Sequence, residues 1–419
     1  MSSHELIARI RLPLILKLLT TIIGFVVNWH FAQVLDADSF GLFVLFQLLL
    51  LLIITIAKMG LDQAAIRYAA SQRSSTILLR KIYMAYAVFT LSILVCVITA
   101  FIIDRYVKQL PFTSLDKSIF WLLLYIASVA TAIININAAV YKGLQKPSLF
   151  TAFSGLLSLT ILLISSLALG IEEIQSTLVL LTSVLCIVAI ASILIVHKCT
   201  MQTNLQHSHA LPSSYSLRKS AYALWLSSIV FLIIQQGGTL FLSIYTSINL
   251  LGIYAVVTKL AMLPNIVLFS LNSVIAPRLV SLYVNKQYKA LQIMFNQCQL
   301  ILLVFAFLSI CFFYALGMYL LTLFGNEFAQ GYTWLIILVF GQAINLTTGP
   351  ALTVLTMSGH EQTYKNISLL TALFSAVLAI ILIPKFGPLG AAITTCVAMS
   401  AQNLLGLYYA KTKVLRTPL

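Results

Sequence analysis

Three lysines interrupt otherwise apolar stretches of this chain: Lys17, Lys58 and Lys259. A cation in such a setting is costly to bury, so it marks a place built to meet an anion or a dipole. Lys259 lies about two turns into its apolar run, roughly 10–12 Å along a helix, too deep for its amine to escape easily to the nearer surface. The plainer account is a lysine that snorkels or pairs with a helix carbonyl. For Lys17 and Lys58, nearer the ends of their runs, it is snorkelling to the interface. Arg67 and Arg278 follow the runs that hold Lys58 and Lys259. A guanidinium suits bidentate phosphate binding, but a topological anchor needs no ligand, and that is the stronger reading of both. Among the amides, Gln235-Gln236-Gly237-Gly238 falls near the middle of a run. Two glycines weaken a helix and two amides require partners, so a hinge or a polar patch is expected there. Asn135, Asn137, Gln342 and Asn345 are further amides, for which hydrogen bonding between helices is at least as good a reading.

The elements that position these residues are membrane helices. The 419 residues are 61% hydrophobic and 8% charged, with a mean hydropathy of +1.02. A helix needs about 20 apolar residues to span a bilayer core, and twelve runs qualify: 12–35, 40–60, 82–103, 119–141, 149–170, 176–197, 220–246, 252–276, 297–323, 332–358, 364–384 and 389–410. A transmembrane barrel would show short alternating segments, which are absent. Pro264 predicts a kink in the eighth run. No A-x-A pattern follows a short apolar core, so the first run reads as a retained helix. The six cysteines are scattered and read as small apolar fillers.

With the N-terminus placed in the cytoplasm, 18 of the 25 Lys and Arg residues fall on the cytoplasmic side. Acidic residues such as Asp36, Asp38, Asp104 and Asp116 fall opposite. This asymmetry places both termini in the cytoplasm. The net charge of +15 therefore speaks for topology and anionic lipid heads rather than nucleic acid.

The second half echoes the first. Asp38-Ser-Phe-Gly41-Leu-Phe43 opens the second run and Leu250-Leu-Gly252-Ile-Tyr254 the eighth. Gly41 and Gly252 are 211 positions apart, as are Arg67 and Arg278; Gly143 and Gly359 are 216 apart. Six runs separate each pair, so the copies share an orientation. The expectation is an all-α membrane protein with about twelve transmembrane helices in two six-helix lobes, related by a parallel pseudo-twofold repeat around a central cavity. The lobes are residues 1–197 and 220–419, and 198–219 is a cytoplasmic linker.

The chain resembles the polysaccharide-transport branch of the multidrug/oligosaccharidyl-lipid/polysaccharide exporter superfamily. The resemblance rests on Phe40-Gly-Leu-Phe43, Gly60-Leu-Asp-Gln-Ala-Ala-Ile-Arg67-Tyr68, Gly252-Ile-Tyr254 and Thr258-Lys259-Leu260. It continues through Asn272-Ser-Val-Ile-Ala-Pro277-Arg278, Leu323-Phe-Gly-Asn-Glu-Phe328, Gly359 and Ile383-Pro-Lys-Phe-Gly387-Pro-Leu-Gly390. It implies a flippase that moves undecaprenyl-diphosphate-linked oligosaccharide from the cytoplasmic to the periplasmic leaflet of a bacterial inner membrane, for O-antigen or another surface polysaccharide. Lys259, Lys17, Lys58, Arg67 and Arg278 would then meet the diphosphate, while Gln235, Gln236, Gly237, Gly238 and Asn345 face sugar or form a hinge. Membrane lipids are expected partners, with a polysaccharide polymerase and a chain-length regulator as associates. No cofactor, metal or covalent chemistry is expected.

All ten acidic residues lie in loops or near run ends, unlike the buried acid usual in cation-coupled drug exporters. Such an exporter remains the alternative within transport. A membrane oligosaccharide polymerase or glycosyltransferase is the alternative from another class. It generally needs a sizeable outer loop, and the largest here is about 104–118. A purely structural scaffold would not require so many spans. No G-x-x-x-x-G-K-[ST] loop is present for direct ATP use.

Overall fold

The computed structural model describes residues 3–62, 65–66, 69, 75–106, 116–144, 146–202 and 214–415; among them the regular structure is helical, with no strand. An apolar solvent imposes this, because a helix satisfies its own N–H and C=O groups without water. Among the described residues ten helices are long and apolar enough to cross a membrane, and the chain is a multi-pass membrane protein. The seventh and eighth runs contribute the shorter apolar helices Leu232–Tyr245 and Ile248–Ala261.

The chain packs as two compact units, Met1–Ile229 and Val230–Leu419. The first holds α1 (Ser3–Val34), α2 (Ala37–Ala57), α3 (Ser75–Tyr106), α4 (Lys117–Gly143), α5 (Pro147–Thr151), α6 (Leu157–Leu169) and α7 (Ile174–Gln202). It also takes the first half of α8 (Ser214–Tyr245). The Asp116 side chain accepts the Ser118 N–H at 2.9 Å and caps α4. Between α5 and α6 the chain makes a π-turn at Ala152–Leu156. Gly155 adopts φ 151° there, where a side chain would be strained. The core is aromatic: Phe31 meets Phe43 at 4.9 Å, and Phe46 meets Phe120 edge-on at 5.5 Å.

Buried hydrogen bonds fasten three helices of this unit. Tyr86 of α3 donates its hydroxyl to Asn137 Oδ1 of α4. Asn137 Nδ2 donates to Ser192 Oγ of α7 at 2.7 Å, and the Tyr141 hydroxyl donates to the Ser192 carbonyl at 3.0 Å. In hydrocarbon, where no water competes, such bonds hold helices in register.

The second unit contains the rest of α8, then α9 (Ile248–Ala261), α10 (Asn265–Val284), α11 (Tyr288–Thr322), α12 (Tyr332–Thr348), α13 (Ala351–Met357), α14 (Glu361–Phe386) and α15 (Pro388–Ala410). The helix α11 is 35 residues long. It packs along α12, which also contacts α15; α14 turns back into α15 at Gly387.

Two expected spans are discontinuous. The run 252–276 ends as a helix at Ala261 and restarts at Asn265. Pro264 has no N–H to continue the ladder, and the chain bridges the gap with three-residue bonds from Leu263 to Leu260 and from Asn265 to Met262. The run 332–358 breaks at Gly349-Pro350 into α12 and α13. Gly349 adopts φ 63°, and Pro350 again lacks a donor. The Thr347 carbonyl beside this break takes its hydrogen bond from Gln299 Nε2 of α11 at 2.9 Å.

Candidate functional site

The expected cations divide between the units. Lys17 sits exposed on α1. Lys58 occupies the turn after α2 and lies 3.5 Å from Asp62, one helical turn on. The pair is formed at 21% and 24% side-chain exposure, so a ligand anion reaching Lys58 would compete with a carboxylate already in place. Beside it, Trp225 Nε1 donates to the Thr55 and Ile56 carbonyls at 3.0 and 3.1 Å, supplying a donor to the last turn of α2. Arg67 lies outside the described residues.

In the second unit Lys259 is half-buried and falls in the last turn of α9, among the buried Val256, Val257, Leu260 and Ala261. The expectation of a position two turns into a continuing helix is corrected on two counts. The helix starts earlier, at Ile248, and stops just beyond the lysine, at Ala261. Lys259 is therefore about 17 Å along α9 at 1.5 Å per residue, at its C-terminal pole. The last carbonyls of a helix carry a partial negative charge, which favours a cation there. Arg278 is exposed on α10.

The amides come together at the two breaks. Asn345, one turn before the α12 break, donates its Nδ2 to Asn265 Oδ1 at 2.9 Å and lies 3.5 Å from Gln342 Oε1. Asn265 is the first residue of α10. One bond thus ties the end of one half-helix to the start of another. Below this pair, Val267, Leu268 and Leu271 of α10 pack on Ala343 and Leu346 of α12 and on Leu302 and Ala306 of α11. That apolar contact fixes α10 against α12 with its asparagines at the edge. Asn272 follows two turns after Asn265, and its Oδ1 is buried with no hydrogen-bond partner among the described residues.

The helix α8 runs without a break through Gln235–Gly238, from Ser214 to Tyr245. Close packing accounts for the second glycine. A Cβ at Gly238 would fall 2.6 Å from Thr395 Oγ1 and 3.1 Å from the Tyr254 hydroxyl. Gln235 and Gln236 are half-buried.

Asn265, Asn272, Gln299 and Trp225 were not among the expected functional residues. Gly349-Pro350 is a turn dipeptide and Pro264 precedes Asn265, so the breaks had a sequence signal. The asparagines' partners had none. Asp104, near the end of α3, is buried and accepts from Trp121 Nε1 at 3.4 Å. Among the described residues no group of three or more His, Cys, Asp or Glu side chains is placed to hold a metal ion.

The profile of a family described as "Polysaccharide biosynthesis protein" matches residues 10–283. No curated protein sequence matches the chain. Among solved structures it is similar to the lipid II flippase MurJ in an inward closed conformation, with TM-score 0.67 and 16% identity over 96% of this chain and 87% of that one. It is similar to a multidrug resistance MATE family transporter of the MOP superfamily in an inward-facing conformation, with TM-score 0.65 and 14% identity over 97% and 98%. A mutant of the Vibrio cholerae MATE transporter VcmN matches with TM-score 0.58 and 14% identity over 96% and 95%. At these identities the likeness establishes the fold.

Proposed function

The chain belongs to the polysaccharide biosynthesis protein family, and from that premise we propose that it is a flippase for undecaprenyl-diphosphate-linked oligosaccharide repeat units. It carries them from the cytoplasmic to the periplasmic leaflet of a bacterial inner membrane, with both its termini in the cytoplasm, for O-antigen or another surface polysaccharide. The family match over residues 10–283 carries this reading. The fold shared with a lipid II flippase supports it.

In this reading two lobes, residues 1–197 and 220–419 joined by a linker at 198–219, rock about a central cavity and expose the headgroup to each side in turn. Lys259 takes the diphosphate, because a lysine at the pole of a half-helix is a fixed positive site in a low-dielectric setting. Lys17, Lys58, Arg67 and Arg278 draw the headgroup from the cytoplasmic surface. Gln235, Gln236 and Asn345 face sugar hydroxyls. A polymerase and a chain-length regulator receive the delivered units. The work is binding and movement, with no bond made or broken.

A second reading, cation-coupled multidrug export, takes its support from the MATE transporters of the same fold. One experiment separates them: lipid-linked glycan is measured in each leaflet of cells lacking the chain. Complete repeat units stranded on the cytoplasmic face support the flippase. Normal glycan with heightened drug sensitivity selects the exporter. Units that reach the periplasm but stay single select a polymerase role.

A further inference from the structure

Asn265 and Asn272 are seven residues apart on α10, so they project from one face of the helix. Leu268, Leu271, Ile275 and Leu279 fall about 20–120° to one side of them at 100° per residue and pack against α11, α12 and α13. The exposed Arg278 projects roughly 120–140° away from the asparagines at 100° per residue. The Asn265–Asn272 strip therefore runs along the border of that apolar face, beside α12, where Asn345 holds Asn265 at 2.9 Å.

The two asparagines differ in what they lack. Asn265 Oδ1 has its donor in Asn345. Asn272 Oδ1 is buried and has no hydrogen-bond partner among the described residues. A buried amide carbonyl without a donor is destabilising, and in an apolar surround it is a docking point for a group that brings a hydroxyl or N–H. The strip carries amides and no carboxylate, so the matching ligand is neutral and rich in donors and acceptors. Discontinuous helices in a membrane are found where the freed backbone is buried or lines a ligand site, and both breaks of this unit flank the strip.

We propose that the Asn265–Asn272 face of α10, closed by Asn345 of α12, is a contact surface for the hydroxyl groups of a carbohydrate headgroup, with Asn272 Oδ1 accepting a hydrogen bond from a hydroxyl. This rests on the flippase reading and separates two jobs within it. The lysine at the end of α9 serves the diphosphate, and the asparagines of α10 serve the sugar.

The test uses the full chain in lipid nanodiscs and two probes, undecaprenyl diphosphate and undecaprenyl diphosphate bearing one N-acetylglucosamine. Asn272→Leu should weaken binding of the sugar-bearing probe about three- to tenfold, the value of one neutral hydrogen bond, and leave the bare diphosphate lipid unchanged. Its thermal stability should hold or rise, because the substitution removes a carbonyl with no partner among the described residues. Asn272→Asp, which keeps the acceptor, should retain sugar-dependent binding. Equal loss for both probes, no loss for either, or a lowered melting temperature that accounts for the loss would overturn the sugar-contact role while leaving the flippase reading standing. A wild-type protein that binds neither lipid would overturn the flippase reading and this proposal with it.

Discussion

In the first unit Asn137 gives its Nδ2 to Ser192 at 2.7 Å and takes the Tyr86 hydroxyl on its Oδ1, inside three continuous helices. In the second, Asn345 and Asn265 meet at 2.9 Å where two helices break, and Asn272 keeps a buried acceptor without a donor among the described residues. The residue type is the same and the setting is apolar in both. The difference lies in satisfaction and backbone continuity. A saturated amide in an unbroken bundle fastens helices. An amide two turns from a helix break, with acceptor capacity left over, would on the proposed reading meet a group that comes and goes. Lys58 is paired with Asp62 at 3.5 Å beyond the end of α2, and Lys259 sits in the last turn of a half-helix.

The largest expected effect tests the functional side of this contrast. Lys259→Gln should cut transport about 10- to 100-fold, the range for losing a hydrogen bond to a charged group, with the inserted amount unchanged on a membrane immunoblot. Lys259→Arg should retain more activity than Gln. Wild-type transport in the Gln variant would take Lys259 out of the site. Next comes the structural side. Asn137→Leu leaves Ser192 and Tyr86 without their partner and should destabilise the protein by about 1–3 kcal/mol, seen as earlier thermal unfolding in detergent. Transport per folded molecule should be preserved; if it fell at an unchanged melting temperature, Asn137 would join the site and the contrast would collapse.

Smaller effects sharpen it. Gln299→Leu strips the donor from the Thr347 carbonyl beside the α12 break and should cost about 1 kcal/mol or somewhat more. Because that break also carries Asn345, transport per folded molecule should drop as well, which separates it from Asn137→Leu. Asp62→Asn removes the partner of Lys58. At this partial exposure the pair is worth less than about 1 kcal/mol, so thermal stability should barely move. Transport assayed at low and high salt should show whether the released Lys58 speeds or slows uptake.

Most of the architecture was legible in the chain because hydropathy reports burial in lipid directly. The apolar runs lie where the helices lie, and Pro264 marked the end of α9. The break at Gly349-Pro350 was passed over because its run stays apolar across it, and hydropathy averaged over such a length is blind to a single missing N–H. The position of Lys259 was read from the start of its run, and α9 begins four residues sooner, at Ile248. The Gln235–Gly238 stretch looked like a weak point, since glycine lowers helix propensity. Packing overrode it: Gly238 has no room for a Cβ beside Thr395 and Tyr254. Asn137 and Asn272 carry the same letter in the sequence, and only the helices around them separate a fastener from an acceptor without a donor among the described residues.

The exposed face of α11 is apolar from Leu300 to Tyr319, a rise of roughly 30 Å, about the hydrocarbon thickness of a bilayer. Gln299 stands at the edge of that band and reaches across to Thr347. Hydrophobic mismatch at α11 is therefore felt at the α12 break. In thin, short-chain bilayers the helix must tilt, and in thick ones it must draw Gln299 inward or compress the lipid. Acyl-chain length becomes a control on the amide cluster, so transport rates in vesicles of graded thickness should peak where band and bilayer match.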